Sequence, residues 1–331
     1  MSIPSRALSR LRHEARRAAR RLVDAAGQGE RLSLVLARRR TLSTLEAGGW
    51  HERLLAVLEG GVTSTRSARW TAPDDDSIPL VMCLWNRPER IHDIVTMLER
   101  LDPARPVRVL LWNNDPALRA EYAWLDDHVP SGSLRSVDVV HSPTNLGGLA
   151  RFVAIRLLRN GGYEGPVVML DDDQDVRPSF VDDLLADHSP RRIAAWWAFD
   201  FGPSYWDRVQ ISVGSIADHG GTGGTIVDAS LVDDDRFFLS LPERYAFLED
   251  QWMSHYARTL GWTIVKADTE IGFVLEHKNQ YHGLHERKDE FHRGLEDGSF
   301  PIGPEIGSSA KGRRQGRLNP RPPRPAHAAG A

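Results

Sequence analysis

The sequence predicts an α/β protein built on a mostly parallel sheet flanked by helices. Three observations carry that prediction. From Ile78 onward, short apolar runs rich in β-branched residues alternate with segments of helical spacing. The runs end in Asn, Gly, Asp and Pro, residues that turn a chain at a strand end. Hydrophobic residues make up 41% of 331 positions, enough for a substantial core in one large domain or two smaller ones.

The elements follow in order. Residues 1–62 form an Arg-rich helical extension, with Leu8, Leu11, Ala15, Ala19 and Leu22 at spacings of three and four and a second helix from Trp50 to Leu58 ended by Gly60 and Gly61. Residues 63–77 are a linker and 78–302 the main domain. Its first strand is Leu80–Leu84, followed by a loop at Trp85–Pro88 and a helix from Glu89 to Leu101. Val107–Trp112 and Val137–Val140 are the next strands, and a helix runs from Leu149 to Arg159. A buried strand at Val167–Leu170 leads to a helix from Pro178 through Leu185. Ile193–Ala198, Thr263–Lys266 and Ile271–Leu275 are further strands, and Gln251–Leu260 is a helix stopped by Gly261. Residues 303–331, rich in Gly, Ser, Pro, Ala and Arg, are expected to be a disordered basic tail.

Composition narrows the function. The net charge of −3 hides arginine crowded at both ends and acids between them. A lone cysteine, Cys83, excludes an internal disulfide and fits a reducing compartment, so a cytoplasmic location is expected. No apolar run reaches the roughly 20 residues that span a bilayer, and arginines interrupt any secretory signal. The N-terminal amphipathic segment either lies on the inner face of an anionic membrane or covers the main domain. The tail lacks the aromatic interleaving that stacks on bases, so no nucleic-acid partner is expected.

The chemistry centres on Asp171, Asp172 and Asp173, which follow Val167–Leu170 without a spacer. Adjacent acids repel unless a cation or a set of donors sits among them, which suggests a divalent metal and a phosphate; the alternative is a solvated acidic turn. Asp74–Asp76 and Asp233–Asp235 are controls, since neither follows a comparable aliphatic run. A parallel sheet gathers its strand-end loops on one edge, here Trp85, Asn86 and Arg87, then Asn113 and Asn114, then Asn145, Gly147 and Gly148, then the three acids. Asn can read a base and ribose, Gly admits a phosphate, and Arg151 on the next helix can reach a diphosphate.

Asn86–Arg90 after the first strand, Asn145 with Gly147 and Gly148, Asp171–Asp173, and Glu249–Asp250 on a later helix together resemble the family 2-like glycosyltransferases of the GT-A (Rossmann-like) fold. The resemblance covers Ile78 to His277. It implies an inverting transfer of a sugar from a nucleotide-diphosphate donor, expected to be a UDP-sugar, to a glycan or lipid-linked acceptor. Asp171 and Asp173 would be the outer acids of a DxD motif, with Asp171 near the ribose and Asp173 on Mn²⁺ or Mg²⁺, joined by Asp172 as a donor contact. His277 would be a further metal ligand, with His282 and His285 as alternatives. Asn114 stands where the family commonly has an Asp facing the base. Trp85, where many relatives have Tyr, either stacks on the base or belongs to the core. Gly223 and Gly224, within the Gly220–Thr225 run, resemble the turn beneath the donor sugar, and Glu249 and Asp250 resemble the catalytic pair whose Asp is the general base; the alternative for Asp250 is a helix cap. Trp252 and Tyr256 depart from the family pattern.

Aromatic Trp196, Trp197, Phe201, Tyr205 and Trp206 either stack on acceptor sugars or form core. Two other functions compete. A sugar nucleotidylyltransferase needs a Gly-rich loop with Arg and Lys directly after the first strand, which Leu84–Arg87 does not supply. A non-catalytic basic scaffold, binding membrane or nucleic acid through the termini, explains the ends but not the ordered acids.

Overall fold

The computed structural model describes residues 45–64, 76–274, 284–303 and 318–320, with positions 35, 39 and 43. The expected helix before Val35, the centre of the 63–77 linker, and most of the basic tail lie outside them. In chain order the elements are α1 (Trp50–Gly60), β1 (Val62–Ser64), β2 (Ile78–Leu84), α2 (Ile91–Glu99), β3 (Val107–Asn113), β4 (Leu134–His141), α3 (Ala150–Asn160) and β5 (Pro166–Asp171). β6 (Gln174–Val176), α4 (Phe180–Asp187), β7 (Arg192–Ala195), β8 (Ala198–Phe201), β9 (Arg208–Gln210), β10 (His219–Gly220) and β11 (Thr225–Asp228) follow. The chain continues through α5 (Arg236–Leu239), α6 (Glu249–Thr259), β12 (Thr263–Lys266), β13 (Ile271–Phe273), α7 (His285–Glu296) and β14 (Leu318–Pro320).

One nine-stranded sheet runs in the order β12-β7-β11-β5-β2-β3-β4-β1-β14. Its centre, β5-β2-β3-β4, is parallel, whereas β11 is antiparallel to both β5 and β7. All seven residues of β2 are buried because both sheet faces are covered. The alternation of side chains is visible in the two cores. Val81, Cys83, Leu110, Trp112, Val167 and Met169 pack toward α3 and α1, while Leu80, Met82, Leu84, Val109, Leu111 and Val168 pack toward α2 and α4.

α3 lies between the sheet and the 229–239 segment, and nearly every side chain on it is buried. Its arginines explain one of the control triplets. Arg156 pairs with Asp235, Arg159 with Asp233 at 2.7 Å, and Asp234 with Arg236 at 2.5 Å, so Asp233–Asp235 is a fastening for a helix. In the other, Asp76 is exposed, and its carbonyl accepts from Arg105 Nε at 2.8 Å.

Two expectations need correction. The expected strand Ile193–Ala198 is two strands: the ladder stops at Ala195, Trp196 N–H donates to Gly224 O at 2.9 Å, and β8 joins a separate sheet with β10 and β9. β13 ends at Phe273 and pairs with β6, outside the main sheet. At the join of the expected extension and linker, Val62–Ser64 is a strand against β4, and residues 318–320 pair beside it.

Candidate active site

The strand ends of β2, β3 and β5 open on one edge of the sheet, as a parallel arrangement requires. With the loop before α3, the turn before β11 and the first turn of α6, they enclose a cleft of about 480 Å³. Asp171–Asp173 and Asp250 both line it, from opposite ends of the domain's sequence. A second cavity of about 540 Å³, lined by Phe201, Asp218, Arg258 and His292 among others, receives none of the strand-end loops and gathers no comparable chemistry.

Two arginines answer the acids. Arg87 Nη1 donates to Asp172 Oδ1 at 2.5 Å and Arg87 Nη2 to Asp173 Oδ2 at 2.9 Å. Trp85 N–H donates to the other Asp172 oxygen at 3.1 Å, so Asp172 is spent on holding the β2 loop. Arg151 bonds Asp171, Thr222 Oγ1 at 2.9 Å and Glu249 Oε1 at 3.2 Å, joining α3, β5, the glycine turn and α6 through one guanidinium. Burial holds the Glu249 carboxyl above its ordinary range, although Arg151 pulls it down. For Asp173, burial outweighs the pull of Arg87, and Asp172 adds to the upward shift.

At the other end, Asp250 lies in the first turn of α6 and accepts from Gln251 N–H at 2.8 Å. Its Oδ2 lies 3.6 Å from Lys288 Nζ and 3.7 Å from His219 Nε2. Burial works to raise the Asp250 carboxyl, but Lys288 and His219 bring it below the usual carboxylate range. Burial drives His219 down to about 4, against the pull of Asp250, so the imidazole is uncharged at neutral pH. The cation that keeps Asp250 ionised there is therefore Lys288, which also donates to Tyr205 Oη at 3.2 Å.

The expected residues are not all alike in placement. Trp85, Arg87, Asn114, Gly148, Arg151, Asp171, Asp172, Asp173, Gly223, Glu249 and Asp250 line the cleft. Asn86, Asn145 and Gly224 do not. Asn145 instead accepts from Gly147 N–H at 2.8 Å, shaping the loop. Asn114 Oδ1 accepts from Leu146 N–H at 3.1 Å and its amide donates to Gly147 O at 2.9 Å, so much of the amide expected to face a base is committed to that same loop. Gly148 and Gly223 have a purpose other than admitting phosphate: a Cβ there would strike the Glu249 and Asp171 carboxylates. His277 and His282 lie outside the described residues. His285 stacks on Trp206 with ring centres 3.9 Å apart and is not among the residues that line the cleft.

Sequence reasoning missed Lys288, His219, Arg208 and Thr222. Lys288 lies in a charged helix, with no local signal separating it from its neighbours; His219, next to the glycine run, had a positional hint.

Among the described residues, no three metal-ligating side chains converge. Two carboxylates are nevertheless a fitting donor set for a hard cation that draws its remaining ligands from phosphate and water.

No protein-family model and no curated protein sequence matches the chain. Among solved structures, it is similar to GT-A glycosyltransferases and to a nucleotidyltransferase at low identity. S. aureus TarS is 16% identical with a TM-score of 0.40, over 63% of this chain and 38% of TarS. The inositol-1-phosphate CTP transferase from T. maritima is 11% identical with a TM-score of 0.34, over 68% of this chain and 98% of that one. GlyE of Streptococcus pneumoniae TIGR4 is 14% identical with a TM-score of 0.30, over 69% and 54%. The chain thus spans little more than a third of TarS.

Proposed function

We propose that the chain is an inverting glycosyltransferase that moves a sugar from a nucleotide-diphosphate donor, a UDP-sugar, to a glycan or lipid-linked acceptor. The observation that carries this reading is one cleft shared by the acids after β5 and the carboxylate that begins α6. The donor nucleotide lies along the ends of β2 and β3, beside Trp85 and Asn114, with its diphosphate toward Asp171, Asp173 and the two arginines. Asp171 and Asp173 would hold Mn²⁺ or Mg²⁺, which when bound neutralises charge on the departing diphosphate.

Asp250 takes the proton of the acceptor hydroxyl as that oxygen bonds to the anomeric carbon. The bond from that carbon to the diphosphate oxygen breaks on the opposite face, so the configuration inverts. Lys288 keeps Asp250 ionised and ready to accept. Glu249, bound to Arg151 and Thr222, orients the turn beneath the donor sugar and takes no proton itself.

The test is turnover and UDP binding measured together on Asp173→Ala and Asp250→Asn. Asp250→Asn is expected to bind UDP normally while losing transfer; normal turnover in that variant overturns the assignment of the base. The basic-scaffold reading predicts no metal-dependent UDP binding, so titrating UDP with and without MnCl₂ separates the two.

A further inference from the structure

Resting on that reading, we infer that the acceptor carries an anionic group, a phosphate or a carboxylate, received by Arg208 beside Asp250. Arg208 extends from β9 into the cleft among four rings. Its guanidinium carbon is 4.9 Å from the centres of Phe199 and Tyr205, 5.3 Å from Trp206 and 5.8 Å from Trp197. Ring faces attract the cation, yet they accept none of its five N–H groups in good geometry. Its Nε–H is buried without a hydrogen-bond partner, and among the described residues no carboxylate pairs with it. A half-buried guanidinium whose fork is unspent suits a planar carboxylate or a phosphate. Arg87 and Arg151 differ, since each already holds two acids.

The position assigns the charge to the acceptor and not to the donor. Arg208 acts electrostatically on Asp250, Tyr205 and His219. The cations acting on Asp173 are Arg87 and Arg151. Lys288 adds a second positive charge on the Asp250 side. At the same cleft, Trp197 and Phe273 remain 37% and 42% exposed, large rings left uncovered where a sugar face can stack. A hydroxyl at Asp250 and an anion at Arg208 would fix the acceptor at two points, with the rings as a third.

The full chain, with UDP and MnCl₂ present, is titrated by intrinsic tryptophan fluorescence with glucose 6-phosphate, glucuronate and methyl glucoside. At low ionic strength at least one charged sugar is expected to bind ten times more tightly than methyl glucoside. A preference for glucose 6-phosphate identifies a phosphate on the acceptor, and one for glucuronate a uronic acid. Arg208→Gln is expected to erase the preference with UDP binding unchanged by calorimetry, and Arg208→Lys to keep part of it. Trp197→Ala, which leaves the charge in place, is expected to weaken all three sugars alike. Equal or undetectable responses to the three sugars with UDP bound overturn the inference, as does an Arg208→Gln chain that loses UDP instead. Failure of the unaltered chain to bind UDP overturns the glycosyltransferase reading itself, a separate result.

Discussion

Asp250 and Lys288 show how one residue sets another's working range. A carboxylate buried at a helix start would ordinarily lose its charge to desolvation, yet the ammonium 3.6 Å away holds it ionised below its usual range. Activity should therefore persist into acid, and the acid limb of kcat/KM should lie below the ordinary aspartate value. Lys288→Met removes the cation, so the Asp250 pKa rises and the limb moves to higher pH, readable as a pH profile on the variant. Asp250→Asn should lower kcat by about 10²–10⁴, the usual worth of a general base. These two residues were unequally legible. Asp250 announced itself as an acid opening a helix next to Glu249, whereas Lys288 matters through a packing contact across 38 positions that no local pattern encodes.

α3 and the loop before it form the element that binds the site into the fold. Arg151 is buried on α3 and compensates both Asp171 and Glu249. Arg151→Met strands the buried Glu249 carboxylate without its partner and should cost about 3–5 kcal/mol, as breaking buried ion pairs does. Urea denaturation measures that loss, and adding Glu249→Gln should recover part of it. Gly148→Ala acts on the same element from the other side, because the new methyl meets the Glu249 carboxylate and pushes it off Arg151. A loss of about 1–3 kcal/mol is expected by the same denaturation. The periodicity of α3 was readable, since its apolar positions recur as a helix requires. That Arg151, Arg156 and Arg159 serve as fasteners to acids far downstream was not, because arginine on a helix reads locally as a solvated face.

The whole molecule carries a pH dependence of its own. His219 is buried and titrates near 4, while an unfolded chain holds the same proton near 6.5. Between those values the unfolded state binds more protons, so stability falls as pH drops through the window, by about 3 kcal/mol in all. Urea midpoints at pH 7 and pH 4.5 should differ accordingly, and His219→Gln should flatten part of the difference. No described helix is long and apolar enough to cross a membrane.

By itself the sequence determined the order of strands and helices from Ile78 to Leu170, the parallel centre of the sheet and the acids at the tip of β5. Those follow from spacing and turn chemistry, which are local. Only the tertiary structure decided that Ile193–Ala198 divides between two sheets, that Arg87 and Arg151 answer the three aspartates, and that Lys288, His219 and Arg208 surround Asp250. Each of these depends on which distant side chains share a buried space, and charge compensation in a desolvated cleft is settled by distance in three dimensions, not by spacing along the chain.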